Sequence, residues 1–231
     1  MEIRMLAQPD DVTCGPTSLH AVYDFLGLHL DLEDVIRGVD YLEEGGTLGV
    51  YLGLDALRRG FEAFLYSYNL KIFDPSWATL RRPALIDKLE AQLRYKKGKR
   101  FTENSRAYQR FIRQGGHLCF DDLTPALLHH YLDQNLPILT GLSATYLYNT
   151  RREYTNHLNR SVYDDLRGEP MGHFVVLCAI RGNRVVVADP YKENPISHDH
   201  YYEVDLHRLI RAILLGIVTY DANLLVIAPA D

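Results

Sequence analysis

Apolar positions along the chain follow two rhythms, and each predicts a different kind of element. At helical spacing, Leu19, Val22, Tyr23 and Leu26 predict a buried helix over about 16–25. Pro16 stands near its start, where the missing N–H would have no intrahelical partner. An acidic first turn and a closing Gly38 predict a short helix over 31–38, and Leu54 and Leu57 another over 50–59, stopped by Gly60. Leu85, Leu89 and Leu93 form a helical stripe. Thr124 as N-cap with Pro125 at the first helical position predicts a helix carrying Leu127, Leu128, Tyr131 and Leu132 inward. Asp205 caps a last helix with Leu206, Leu209, Ile210 and Ile213 inside.

The other rhythm is alternation or a short apolar run. It predicts strands at 61–66, 136–147 (bent at Gly141), 172–177, 184–188, 201–204 and 223–228. The turn signal Arg181-Gly182-Asn183-Arg184 joins two of them into a hairpin. Residues 69–77 read as loop, with Trp77 a core or interface anchor, and the polar stretch 153–168 reads as an exposed loop beside a cleft. Helices dominate the N-terminal half and strands the C-terminal half. The layout is α+β, with a helical half whose first helix packs on a C-terminal antiparallel sheet.

Composition bounds this picture. With 231 residues, 47% of them hydrophobic, the chain can bury a sizeable core as a single domain over 1–231. Net charge is −5, which argues against nucleic acid as a partner. No apolar run reaches the roughly 18 residues of a membrane span. Met1-Glu2-Ile3-Arg4-Met5-Leu6 has no signal pattern, so a cytoplasmic protein is expected. The segment 68–116 reads as a basic, mostly helical insertion. Within 81–113, eleven basic side chains stand against three acidic ones, a surface that solvated helix faces explain and that an acidic partner would also fit.

The chemistry concentrates at the start. In Gln8-Pro9-Asp10-Asp11-Val12-Thr13-Cys14-Gly15-Pro16, Cys14 stands at or just before a helix N-terminus, whose partial positive charge favours a thiolate. Gln8 offers an amide N–H₂, and the Cys14 backbone a second N–H, to a developing oxyanion. Gly15 leaves room for a substrate. Far downstream, His173 opens an apolar strand and Asp189 ends the next, in Ala188-Asp189-Pro190. Taken singly, these are a buried cysteine, a structural histidine and a turn residue. Together, in the order Cys, His, Asp, they can serve as nucleophile, base and orienter. Cys119 and Cys178 read as packed thiols. The absence of C-x-x-C spacing argues against zinc or a disulfide framework. His198-Asp199-His200 lacks a third ligand at helical spacing and reads as surface loop. Neither metal nor organic cofactor is expected.

The spacing from Gln8 to Cys14, Cys14-Gly15-Pro16, Gly172-His173-Phe174-Val175-Val176-Leu177, Ala188-Asp189-Pro190 and the strand at 136–141 resemble the C39-like cysteine peptidases of the papain-like fold. The resemblance runs from about Ala7 to Tyr191. It implies Cys14 as nucleophile, His173 as base, Asp189 as orienter of the histidine and Gln8 as a lining of the oxyanion hole. The best-known members cut bacteriocin leader peptides after a double glycine, as a domain on a transporter; this chain is expected to be a standalone member without a transporter domain. The expected activity is thiol hydrolysis of a peptide or amide bond through an acyl-enzyme thioester. Two alternatives stay open. An acyltransferase would pass the same thioester to an amine, and a non-catalytic binding protein would dock partners through the basic segment.

Overall fold

The computed structural model describes residues 1–43, 45–155 and 161–230. Three helices, α1 (Cys14–Phe25), α2 (Leu32–Gly38) and α3 (Gly49–Arg58), precede strand β1 (Phe61–Ser67). Helices α4 (Arg82–Gln92) and α5 (Lys99–Arg113) lead to β2 (His117–Cys119), α6 (Pro125–Leu132), β3 (Ile138–Ser143) and α7 (Ala144–Tyr148). A small hairpin, β4 (Glu153–Thr155) with β5 (Ser161–Tyr163), stands apart from the main sheet. Then come β6 (Gly172–Arg181), β7 (Arg184–Ala188), β8 (Tyr201–Asp205), α8 (Leu206–Leu215) and β9 (Asn223–Pro229).

The fold is α+β. Seven strands form one sheet in the order β2-β1-β9-β3-β6-β7-β8. Every neighbouring pair is antiparallel except β1 with β2. The last strand, β9, lies between β1 and β3 and so ties the N-terminal half to the C-terminal half. One face of the sheet carries α1, α3, α4 and α5, with Leu19, Tyr23, Leu52, Leu89, Phe111 and Val176 in its core. The other carries α6, α7 and α8, with Leu128, Leu147, Val175, Leu209 and Val226. The caps are those the side chains dictate. Thr124 Oγ1 accepts the Leu127 N–H at 3.2 Å, and Asp205 Oδ1 accepts the Arg208 N–H at 2.9 Å.

Three segments refine the expectations. The run 136–147 is not one strand: β3 stops at Ser143, whose hydroxyl accepts the Tyr146 N–H at 3.3 Å and so starts α7. That N-cap outweighs the β-branched and aromatic character of the run. The stretch 153–168 is not plain loop, because β4 and β5 pair within it; residues 156–160 of that stretch lie outside the described residues. The segment 68–116 is mostly helical, and its Tyr108, Phe111 and Ile112 belong to the main core. Several of its basic side chains turn back onto the protein. Arg110 pairs with Asp40, Lys99 with Glu43, and Arg100 donates to the Thr219 carbonyl at 2.8 Å. Among the described residues, no helix is long and apolar enough to cross a membrane.

Candidate active site

The site forms where the start of α1 meets the end of the β6–β7 hairpin. Cys14 is the first residue of α1, two residues earlier than the apolar stripe alone suggests, and Thr13 precedes it as N-cap. The Cys14 and Gly15 N–H groups have no carbonyl one turn back to accept them, so this end of the helix carries a partial positive charge. The Ser18 hydroxyl, one turn on, donates to the Phe174 carbonyl at 3.2 Å and fastens the helix to the strand residue beside His173. Gly15 is required by packing: a Cβ there would stand 2.5 Å from the Thr47 methyl.

His173 is the second residue of β6 and pairs with Leu142 of β3. Asp189 follows β7 directly. The hairpin carries a register shift between Leu177 and Ala179, which places Cys178 at an irregularity in the ladder. His173 and Asp189 come to the same end of the hairpin, and His173 Nε2 lies 2.8 Å from Asp189 Oδ1. With its Nε2–H given to the carboxylate, Nδ1 is the ring nitrogen left for another partner. Both residues are nearly enclosed, at 9% exposure for Cys14 and 8% for His173, and Asp189 has none.

Asp189 is held from every side. Oδ1 also accepts the Tyr191 N–H at 2.8 Å. Oδ2 accepts two phenol hydroxyls, from Tyr148 at 2.7 Å and Tyr202 at 2.8 Å. Its backbone is clamped as well. Asp189 N–H donates to the His200 carbonyl, and His200 Nδ1 reaches the Asp189 carbonyl, both at 2.7 Å. Burial works against the carboxylate, but the charge of His173 and the hydroxyl bonds outweigh it, so the Asp189 carboxyl stands below its ordinary range. Burial would likewise lower the His173 imidazole; the Asp189 carboxylate beside it, helped by Cys14, outweighs this and raises it above its ordinary value. Burial and the neighbouring acid push both tyrosines well up, so they remain protonated donors.

Gln8 is joined to this end of the hairpin. Its backbone N–H donates to the Pro190 carbonyl at 3.0 Å. One hydrogen of its side-chain amide goes to the Asp10 carbonyl at 2.8 Å, which shapes the turn before Cys14 and leaves the second for another acceptor. Its Oε1 is buried and unpaired among the described residues. All four residues singled out by sequence, Gln8, Cys14, His173 and Asp189, thus converge. The other thiols do not join them. Cys178 is buried in β6 with its sulfur toward the Val176 carbonyl, and Cys119 lies in β2.

The sequence does not mark Tyr148 or Tyr202 as holding Asp189, and His200, expected in a surface loop, instead bonds the Asp189 carbonyl. Tyr202 was legible as an inward strand position, but nothing in the alternation says that its hydroxyl meets an acid. Where the sequence predicts a strand over 136–147, the turn of α7 brings Tyr148 back to Asp189.

No family model matches the chain, and no curated protein matches it either. Among solved structures it is similar to a Bacillus anthracis protein described as a C39-like peptidase. The TM-score is 0.49 at 13% identity, over 99% of this chain and 96% of the other. It is also similar to a double glycine motif protease from an AMS/PCAT transporter, solved with the leader peptide. There the TM-score is 0.45 at 14% identity, over 99% of this chain and 93% of the other.

Proposed function

We propose that this chain is a thiol hydrolase that cleaves a peptide or amide bond at Cys14. The observation that carries this reading is a buried histidine bonded to a fully buried carboxylate at 2.8 Å, with a cysteine on the first turn of the helix that Ser18 fastens beside the histidine's strand. Each part has a role that its surroundings support. His173 takes the Cys14 proton on Nδ1, because Asp189 fixes the Nε2–H tautomer. The thiolate attacks the carbonyl carbon, a C–S bond forms, and the carbonyl electron pair moves onto oxygen. The Cys14 N–H and the second Gln8 amide hydrogen are the donors that the turn offers to that oxygen. His173 then protonates the leaving amine as the C–N bond breaks. Water, deprotonated by the same ring, releases the acyl group as a carboxylic acid.

The reading is tested by incubating the protein with a complex peptide mixture in ¹⁸O water, with and without added primary amines, and mapping products by mass spectrometry. The expected products carry new C-terminal carboxylates labelled with ¹⁸O, and the amines leave no adduct. New C-terminal amides in place of carboxylates would show the thioester passing to amines, and an unchanged mixture would contradict the reading.

A further inference from the structure

Tyr148, one of the two phenols on Asp189, ends a helix that does not hold itself. The five residues of α7 make little more than one turn, and so short a helix depends on what it packs against. Its start is fastened to the residue before β6. The Ala144 N–H donates to the Met171 carbonyl, and Thr145 Oγ1 accepts the Met171 N–H, both at 2.9 Å. Its end is fastened by a side chain from α8. Arg208 donates from Nε to the Leu147 carbonyl at 3.2 Å and from Nη2 to the Tyr146 carbonyl at 2.5 Å. The same guanidinium lies 4.9 Å from the centre of the Tyr146 ring. The last turn of a helix leaves its carbonyls short of intrahelical donors, and the rigid fork of an arginine meets two of them at once. Arg208 is itself set in the first turn of α8, where Asp205 Oδ1 accepts its N–H.

We infer that Arg208 is a positioning residue: by holding the end of α7 it sets the Tyr148 hydroxyl on Asp189, and through Asp189 the His173 ring. The inference rests on the reading of His173 as the base for Cys14. Each link is a direct contact. The Tyr148 hydroxyl donates to Asp189 Oδ2 at 2.7 Å, and Asp189 Oδ1 lies 2.8 Å from His173 Nε2. The Tyr148 ring also stands beside the His173 ring, with centres 6.1 Å apart. The groups that face Asp189 are His173 from β6, Tyr148 from α7, Tyr202 from β8, the Tyr191 N–H, and His200 at the backbone carbonyl. Tyr202 is carried by a strand of the sheet and keeps its place without help from α8. Tyr148 stands on the short helix that Arg208 anchors. The Tyr148 bond helps to hold the Asp189 carboxyl down, so freeing the end of α7 lets that carboxyl rise.

A double-mutant cycle separates this role from a merely structural one. Arg208→Ala, Tyr148→Phe and the double variant are compared with wild type by the pH dependence of cleavage of one peptide that the wild type cuts. Arg208→Ala is expected to move the acidic limb of the profile upward by about half a pH unit, the loss of one hydrogen bond, and Tyr148→Phe to move it as far. The double variant is expected to show the shift of one substitution, not the sum of two. Arg208→Lys is expected to restore part of the position, because one ammonium can reach a single carbonyl. Urea midpoints of the four proteins are expected to be non-additive in the same sense. An acidic limb that stays where it is in Arg208→Ala, or shifts that add in the double variant, overturns the assignment while leaving the hydrolase reading intact. A wild type that leaves every peptide uncut fails that reading itself and takes this inference with it, whatever the midpoints.

Discussion

Cys14→Ala is expected to keep the fold and to lose cleavage of every peptide that the wild type cuts, a fall of about four orders of magnitude or more. The size of the effect follows from what remains. Without the sulfur there is no nucleophile to form the thioester, and a water at the site is held by no comparable activation. The other thiols cannot substitute. Burial pushes the Cys178 thiol up to about 12, and burial with Asp121 raises that of Cys119, so both stay protonated at neutral pH. Cys119→Ala is therefore expected to cleave at the wild-type rate. The comparison is made on the peptide mixture with equal amounts of folded protein, monitored by circular dichroism. Residual cleavage by Cys14→Ala near the wild-type rate would remove the cysteine from the chemistry.

Asp189→Ala is expected to lose both activity and stability. Removing the carboxylate leaves the Tyr148 and Tyr202 hydroxyls and the His173 ring without their buried acceptor. Breaking a buried pair in this way costs about 3–5 kcal/mol. In a chain of this size that lowers the melting temperature by roughly 10 °C. Cleavage is expected to fall about 10³–10⁴-fold, because the ring loses the group that fixes its tautomer. Tyr202→Phe separates the two effects. It keeps the carboxylate and removes one donor, a loss of about 1 kcal/mol. It should also shift the acidic limb of the pH–rate profile upward, since the Tyr202 bond helps to hold the Asp189 carboxyl down.

The pH dependence of stability has a definite sign. Asp189 is depressed in the folded protein, so its share is present above the ordinary carboxylate value of about 3.9 and is lost as pH falls through the depressed one. His173 is raised, so its share is complete below about 6.5 and is lost as pH rises through the raised value. The stability gap between wild type and Asp189→Ala, read from urea midpoints, is expected to be widest between about pH 4 and 6.5 and to narrow on both sides. A gap independent of pH would mean that the pair is not ionic.

Much of this arrangement was legible in the sequence because it is local. A helix start is written in a proline and an apolar stripe, and that suffices to put Cys14 at or just before a helix N-terminus. A hairpin is written in two apolar runs about a Gly-Asn turn, and that suffices to bring His173 and Asp189 to one end. Partners chosen in three dimensions were not legible. Nothing along the chain says that β9 inserts between β1 and β3, or that β2 pairs parallel at the edge. The segment 68–116 reads as an insertion because it carries no part of the motif, yet Phe111 fills the space left by Gly53 and Gly116 and so belongs to the core. The site divides along the same line. Its four polar residues stood out by type and spacing, whereas the tyrosines that hold Asp189 are recognisable only by what they face.

The central claim is that His173 activates Cys14, and the rate of Cys14 alkylation by iodoacetamide at pH 6 tests it most directly, in wild type and in His173→Ala. An ordinary thiol, titrating near about 8.5, is almost inert at that pH. A thiolate held beside a charged imidazole is not. Rapid alkylation of wild-type Cys14, slowed at least about tenfold in His173→Ala, is the predicted result. Slow alkylation at the same rate in both proteins would contradict it.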